Sequence, residues 1–181
     1  MHTVLPVEPS QALSVAPAVI DVEASGFGKG SYPIEVGFVL PDGTGDCMLI
    51  RPCEGWVHWD PAAERLHRIP REHVVRHGRP IIEVVARLDA ELEGRTIYTD
   101  GWGSDYSWLS MLYEVADRSP TYHLDSLQKL LTEDQLLDWH RVKDEVSRET
   151  ASKRHRASAD ARVLQATVVR LLSSDRTDRA R

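Results

Sequence analysis

Val19-Ile20-Asp21-Val22-Glu23-Ala24-Ser25-Gly26-Phe27 is an apolar run interrupted by two acids and closed by a turn. Valine and isoleucine favour a pleated strand, in which successive side chains leave on opposite faces. Asp21 and Glu23 then share one face with Val19, while Ala18, Ile20 and Val22 share the other. Aspartate is depleted at strand centres, and Ser25-Gly26 ends the strand at once. A half-solvated strand is one account of this pattern. Two carboxylates beside a turn also make a site for a divalent cation.

The rest of the chain sets bounds on what such a strand belongs to. A length of 181 residues with 41% hydrophobic content suits one domain with a substantial core. No apolar run approaches the ~18 residues that span a bilayer, and the first sixteen residues lack a basic start followed by a long apolar core, so the expectation is a cytoplasmic protein. Cys47 and Cys53 are too few for a disulfide framework and lack Cys-x-x-Cys spacing; they read as reduced packing residues, or, with His58, as part of a zinc site. The net charge of −6 argues against a broad basic surface for long nucleic acid but allows an enzyme that grips few phosphates.

Met1–Ala16 reads as a loosely ordered arm, residues 17–172 as the folded domain and Ser173–Arg181 as a disordered tail. After the first strand, Pro33–Leu40 and Cys47–Arg51 form two more, joined by Pro41-Asp42-Gly43 as a turn. Glu35 inside the second strand reads as a solvated or hydrogen-bonded side chain without a role. Pro52–Arg79 shows no clear period and gathers arginines and histidines, the pattern of a solvated loop. Pro80–Glu93 spaces Ile81, Val84, Val85, Leu88 and Leu92 as a helix, and Arg95–Thr99 is a short strand. A helix from Asp105 to Ala116 carries Trp108, Leu109 and Leu112 on the same stripe as Asp105. An acid there is either a helix-dipole partner or a ligand. Tyr122–Asp125 makes a fifth strand, with Asp125 capping a helical turn Ser126–Leu131; Glu133–Ser147 and Ser158–Leu172 are amphipathic helices. In the last of these Asp160 extends the stripe of Leu164, Thr167, Val168, Leu171 and Leu172, and His155 stands five residues before it.

Asp21-Val-Glu23-Ala-Ser25-Gly-Phe27 resembles the Asp-x-Glu-x-Thr-Gly-Leu opening of the DEDDh 3′–5′ exonuclease superfamily, which includes ribonuclease T, oligoribonuclease and proofreading subunits. Three later pieces are similar to the superfamily in the same order: Leu66-His67-Arg68-Ile69 to its His-Gly-Ile element, Asp105-Tyr-Ser-Trp-Leu to its Asp-x-x-Phe-Leu motif, and His155 with Asp160 to its His-x-x-x-x-Asp motif. The resemblance implies an α/β, ribonuclease H-like fold, a five-stranded mixed sheet flanked by helices. It implies Asp21, Glu23, Asp105 and Asp160 as metal ligands, His155 as general base, and Ala24, Ser25, Phe27, Leu66 and His67 as substrate-binding residues. Four such acids repel unless cations intervene, and oxygen ligands favour two Mg²⁺ or Mn²⁺ ions over zinc. The implied activity is release of nucleoside 5′-monophosphates from the 3′ ends of single-stranded RNA or DNA, RNA or short oligonucleotides being favoured. Lys153, Arg154 and Arg156 would suit phosphate contacts, and the small members of the superfamily imply a homodimer. A non-catalytic nucleic-acid or protein binding module on the same fold is the alternative, and a zinc-binding adaptor built on Cys47 and Cys53 is a third.

Overall fold

The computed structural model describes residues 16–150 and 156–178, the last four as helix backbone only. The arm expected over Met1–Ala16 falls outside them except for Ala16, and so do Lys153, Arg154 and His155. Five strands form one mixed sheet: β1 (Ala18–Ala24), β2 (Pro33–Val39), β3 (Gly45–Leu49), β4 (Thr96–Thr99) and β5 (His123–Ser126). Their spatial order is β3-β2-β1-β4-β5. The short turns make β1, β2 and β3 an antiparallel meander, whereas β4 and β5 follow helical crossovers and pair parallel to β1 and to each other. This is the α/β sheet of a ribonuclease H-like fold, as the resemblance implied.

The alternation in β1 divides the core. Ala18, Ile20, Val22 and Ala24 pack with α3 (Ile81–Leu92) and α4 (Trp102–Val115), through Val84, Val85, Leu88, Leu109 and Leu112. Val19, on the opposite face, packs with Val39 and with Ala161, Leu164 and Val168 of α6 (Ala157–Asp178). α5 (Glu133–Glu149) lies on α6, burying Val142 and Val146 against Val163 and Leu171. Among the described residues no helix is long and apolar enough to cross a membrane.

Several elements differ from the sequence reading. Residues 52–79, read as a loop, contain α1 (Pro61–His67) and α2 (Arg71–His77). Seven residues are too few to establish a period, and each helix buries a single side chain, His67 or Val74. The start signal was present all the same: Asp60 accepts from the Ala62 amide at 2.7 Å, with Pro61 at the first helical position. α4 begins at Trp102, three residues before the expected Asp105, because Gly101 and Trp102 already take up the first turn. Ser126, not Asp125, caps the turn Leu127–Leu130; Asp125 instead pairs with Lys129 at 2.8 Å. α6 continues to Asp178, so the expected disordered tail 173–181 is helical as far as that residue. No glycine or proline interrupts it, and Ser173 and Ser174 donate back to carbonyls of the preceding turn.

Candidate metal centre

Asp21 and Glu23 leave the same face of β1, and Asp160 comes down on them from the first turn of α6. Ligand atoms of the three lie within 4.8 Å of one another; among the described residues they form the only group of three or more His, Cys, Asp or Glu side chains so placed. Cys47 and Cys53 are free, half-buried thiols outside any such group, and burial raises both above the ordinary cysteine range.

How α6 gets so close depends on β2, which the sequence reading treated as passive. Gly37 pairs with Asp21 across the sheet, and a Cβ at Gly37 would lie 2.2 Å from the Ser158 amide nitrogen. Only a residue without a side chain lets the helix start rest on the strand. Glu35 pairs with Glu23 in register and is fully buried, contrary to the expectation of a side chain without a role. Its carboxylate accepts from the Ala157 amide at 2.9 Å, and Arg156 donates to it from Nε at 2.8 Å and sits at 2.6 Å through Nη2. Glu35 therefore caps α6 from another element, with the favourable charge for a helix N-terminus. Arg156, expected at phosphate, is committed to this pair. The available signal was a glutamate inside a strand whose other positions are all apolar or glycine.

Asp105 reaches the same region from the opposite layer. It is 4% exposed, in the first turn of α4, where Thr99 at the end of β4 donates its hydroxyl to the carboxylate. The charges of Asp105, Glu23 and Asp160 act on Asp21; with burial, the larger cause, they hold it well above the ordinary carboxylate range. Burial, then Asp160 and Glu35, push Glu23 up to about 7. Burial likewise pushes Asp105 up to about 7, against the Thr99 hydrogen bond. Asp100 adds a smaller upward push on Asp21 and Asp105 and is itself paired with Lys143 at 2.6 Å. The donor set is crowded and entirely carboxylate oxygen, which fits hard divalent cations such as Mg²⁺ or Mn²⁺.

The turn after β1 is braced rather than open. Ser25 is fully buried, accepts from the Tyr32 amide at 3.1 Å and shares a second hydrogen bond with His58 Nδ1 at 3.1 Å. Gly26 takes φ 145°, and a Cβ there would meet the Asp60 Cβ at 2.7 Å, so the start of α1 sits directly on the turn. Ala24 is buried as well, whereas Phe27 is 73% exposed with its ring 5.8 Å from Trp108. Leu66 is exposed. His67 is buried, accepts from the Ile69 amide at 3.1 Å and meets Trp59 edge-on. Of the five expected substrate-binding residues, Phe27 and Leu66 are exposed and Ala24, Ser25 and His67 are buried.

The fold built around this sheet is shared with solved nucleases. Exonuclease I from Methylocaldum szegediense superposes with a TM-score of 0.66 at 14% identity, over 90% of this chain and 41% of that one. E. coli exonuclease I in complex with a dA16 oligonucleotide gives 0.64 at 13% identity, over 89% of this chain and 43% of that one. The zinc-bound E. coli exonuclease I–ssDNA complex gives 0.66 at 13%, over 91% and 41%. This chain thus has the fold of those enzymes and spans under half their length. No protein-family profile matches the sequence, and no curated protein matches it either.

Proposed function

We propose that this protein is a metal-dependent 3′–5′ exonuclease acting on single-stranded nucleic acid. The observation that carries the reading is the convergence of Asp21, Glu23 and Asp160 within 4.8 Å, with Asp105 close enough to act on Asp21. In this reading those four carboxylates hold two divalent cations, which supply the positive charge for water activation and leaving-group stabilisation. Phe27 and Leu66, both exposed, meet the terminal nucleotide. His155, in the position implied by the resemblance, takes a proton as a water oxygen bonds to phosphorus. The bond from phosphorus to the 3′ oxygen breaks, that oxygen gains a proton from solvent, and a nucleoside 5′-monophosphate leaves.

The solved neighbours were captured with dA16 and with single-stranded DNA, which supports placing DNA beside RNA among the substrates. Labelled single-stranded DNA, single-stranded RNA and duplexes digested in Mn²⁺ or Mg²⁺ test the reading. Stepwise shortening from the 3′ end, lost in chelator, is the expected result. Cleavage undiminished in excess EDTA refutes it. Binding of the strand without cleavage selects the non-catalytic module instead. His155→Ala should cut turnover by roughly 10²–10⁴-fold with Mn²⁺ affinity retained, the signature of a base and not a ligand.

A further inference from the structure

Lys143 belongs to no motif of the resemblance, yet the fold delivers it to the carboxylate cluster. Val142 and Val146 of α5 are buried against α6, so Lys143 and Ser147, one turn apart beside that stripe, fall on the flank that overlooks Asp160. A pocket of about 280 Å³ is lined by Asp21, Glu23 and Asp160 on one side and by Lys143, Asp144 and Ser147 on the other. Lys143 is the sole basic side chain among those lining it. Its Nζ sits 2.6 Å from Asp100 Oδ2 and 5.9 Å from the centre of the Trp139 ring. Asp100 takes one of the three ammonium donors, which leaves two for a further acceptor. The contact to Asp100 is partly exposed on both sides, so it is weakly held and readily exchanged.

Charge bookkeeping gives that ammonium a task. Asp21, Glu23, Asp105 and Asp160, with two divalent cations, sum to zero. A phosphodiester brings one negative charge and addition of an ionised water a second; the proton passed to His155 answers the second, and among the residues lining the pocket, where Asp144 adds a further negative charge, Lys143 is the one side chain that can answer the first. We infer that Lys143 binds a non-bridging oxygen of the reacting phosphate, moving from Asp100 to the substrate, and is a catalytic residue supplied by α5. The inference rests on the exonuclease reading above.

The test uses the full chain with Lys143→Gln, Lys143→Arg and Asp100→Asn. Lys143→Gln should lower kcat on a labelled single strand by about 100-fold, the scale of one lost charge-stabilising donor, and Lys143→Arg should restore much of it. A nucleoside 5′-monophosphate, titrated calorimetrically in Mn²⁺, should bind Lys143→Gln about tenfold more weakly, while Mn²⁺ itself binds as well or better. Asp100→Asn, which leaves the ammonium in place, should cleave at the wild-type level. Wild-type kcat and mononucleotide affinity in Lys143→Gln overturn the inference and leave the exonuclease reading standing. A lowered melting temperature that arginine fails to restore assigns Lys143 to packing and overturns it too. If the wild type cleaves nothing, the exonuclease reading falls, and mononucleotide affinity alone decides whether Lys143 binds phosphate.

Discussion

Asp100 and Asp105 stand five residues apart at the end of the same strand, and their environments separate them. The charges of both act on Asp21, Asp105 the more strongly, but Asp105 is buried against Thr99, whereas Asp100 is partly exposed and paired with Lys143. Asp105→Ala should abolish cleavage and weaken Mn²⁺ binding, and Asp100→Ala should keep most of both; measuring the two variants side by side checks the assignment, and the reverse ranking refutes it. Phe27 offers a second test at this scale. With most of its ring exposed it contributes little to the core, yet base–aromatic stacking is worth about 1–3 kcal/mol. Phe27→Ala should raise KM on a single strand by about tenfold with no change in melting temperature. A large loss of thermal stability would show the residue to be structural.

At the level of elements, α6 is set in place by β2. Gly37 gives the helix start its space and Glu35 gives it a cap, although neither residue touches the proposed substrate. Gly37→Ala would drive a methyl group into the Ser158 backbone, and overpacking of this kind costs about 1–3 kcal/mol or more. Glu35→Ala leaves the Ala157 amide without its partner while Arg156 can turn to solvent, a loss of about 1–3 kcal/mol. Both should lower the melting temperature and weaken Mn²⁺ binding through a displaced Asp160. Glu35→Gln, which keeps an acceptor oxygen, should fall between Glu35→Ala and wild type. Chemical denaturation with a parallel Mn²⁺ titration would register both effects.

Across the whole molecule the crowded acids tie stability to pH and to divalent cations. Glu23 and Asp105 are both raised to about 7, so the folded protein binds their protons more tightly than the unfolded chain does. The stability they contribute is fully present below the unfolded values near 4 and is lost as pH rises through about 7. In chelator the melting temperature should therefore fall between about pH 4 and 7 on account of these groups, and a Glu23→Gln, Asp105→Asn double variant should flatten that slope. At neutral pH added Mn²⁺ should raise the melting temperature in a concentration-dependent way, because the cation binds the folded state. An unchanged melting curve at saturating Mn²⁺ would mean that the cluster holds no ion.

The sequence by itself determined the sheet and its division into two faces. Strict alternation along Val19–Glu23 must send Asp21 and Glu23 one way, with Val19, and Ile20 and Val22 the other, and the 3.6-residue spacing of Val84, Val85 and Leu88, or of Leu164, Val168 and Leu171, fixes which helix faces turn inward. These are local periodicities and need no knowledge of partners. Only the tertiary structure decided that Glu35 caps a helix 122 residues away, that Arg156 serves that carboxylate instead of substrate, and that α5 brings Lys143 over Asp160. Such long-range pairings carry no period and no spacing, because they arise from which faces meet when the layers close. α1 and α2 were missed for a related reason: each buries one side chain, so what holds them is their fit against the turn at Gly26 and the strands beneath, not a repeating pattern of their own.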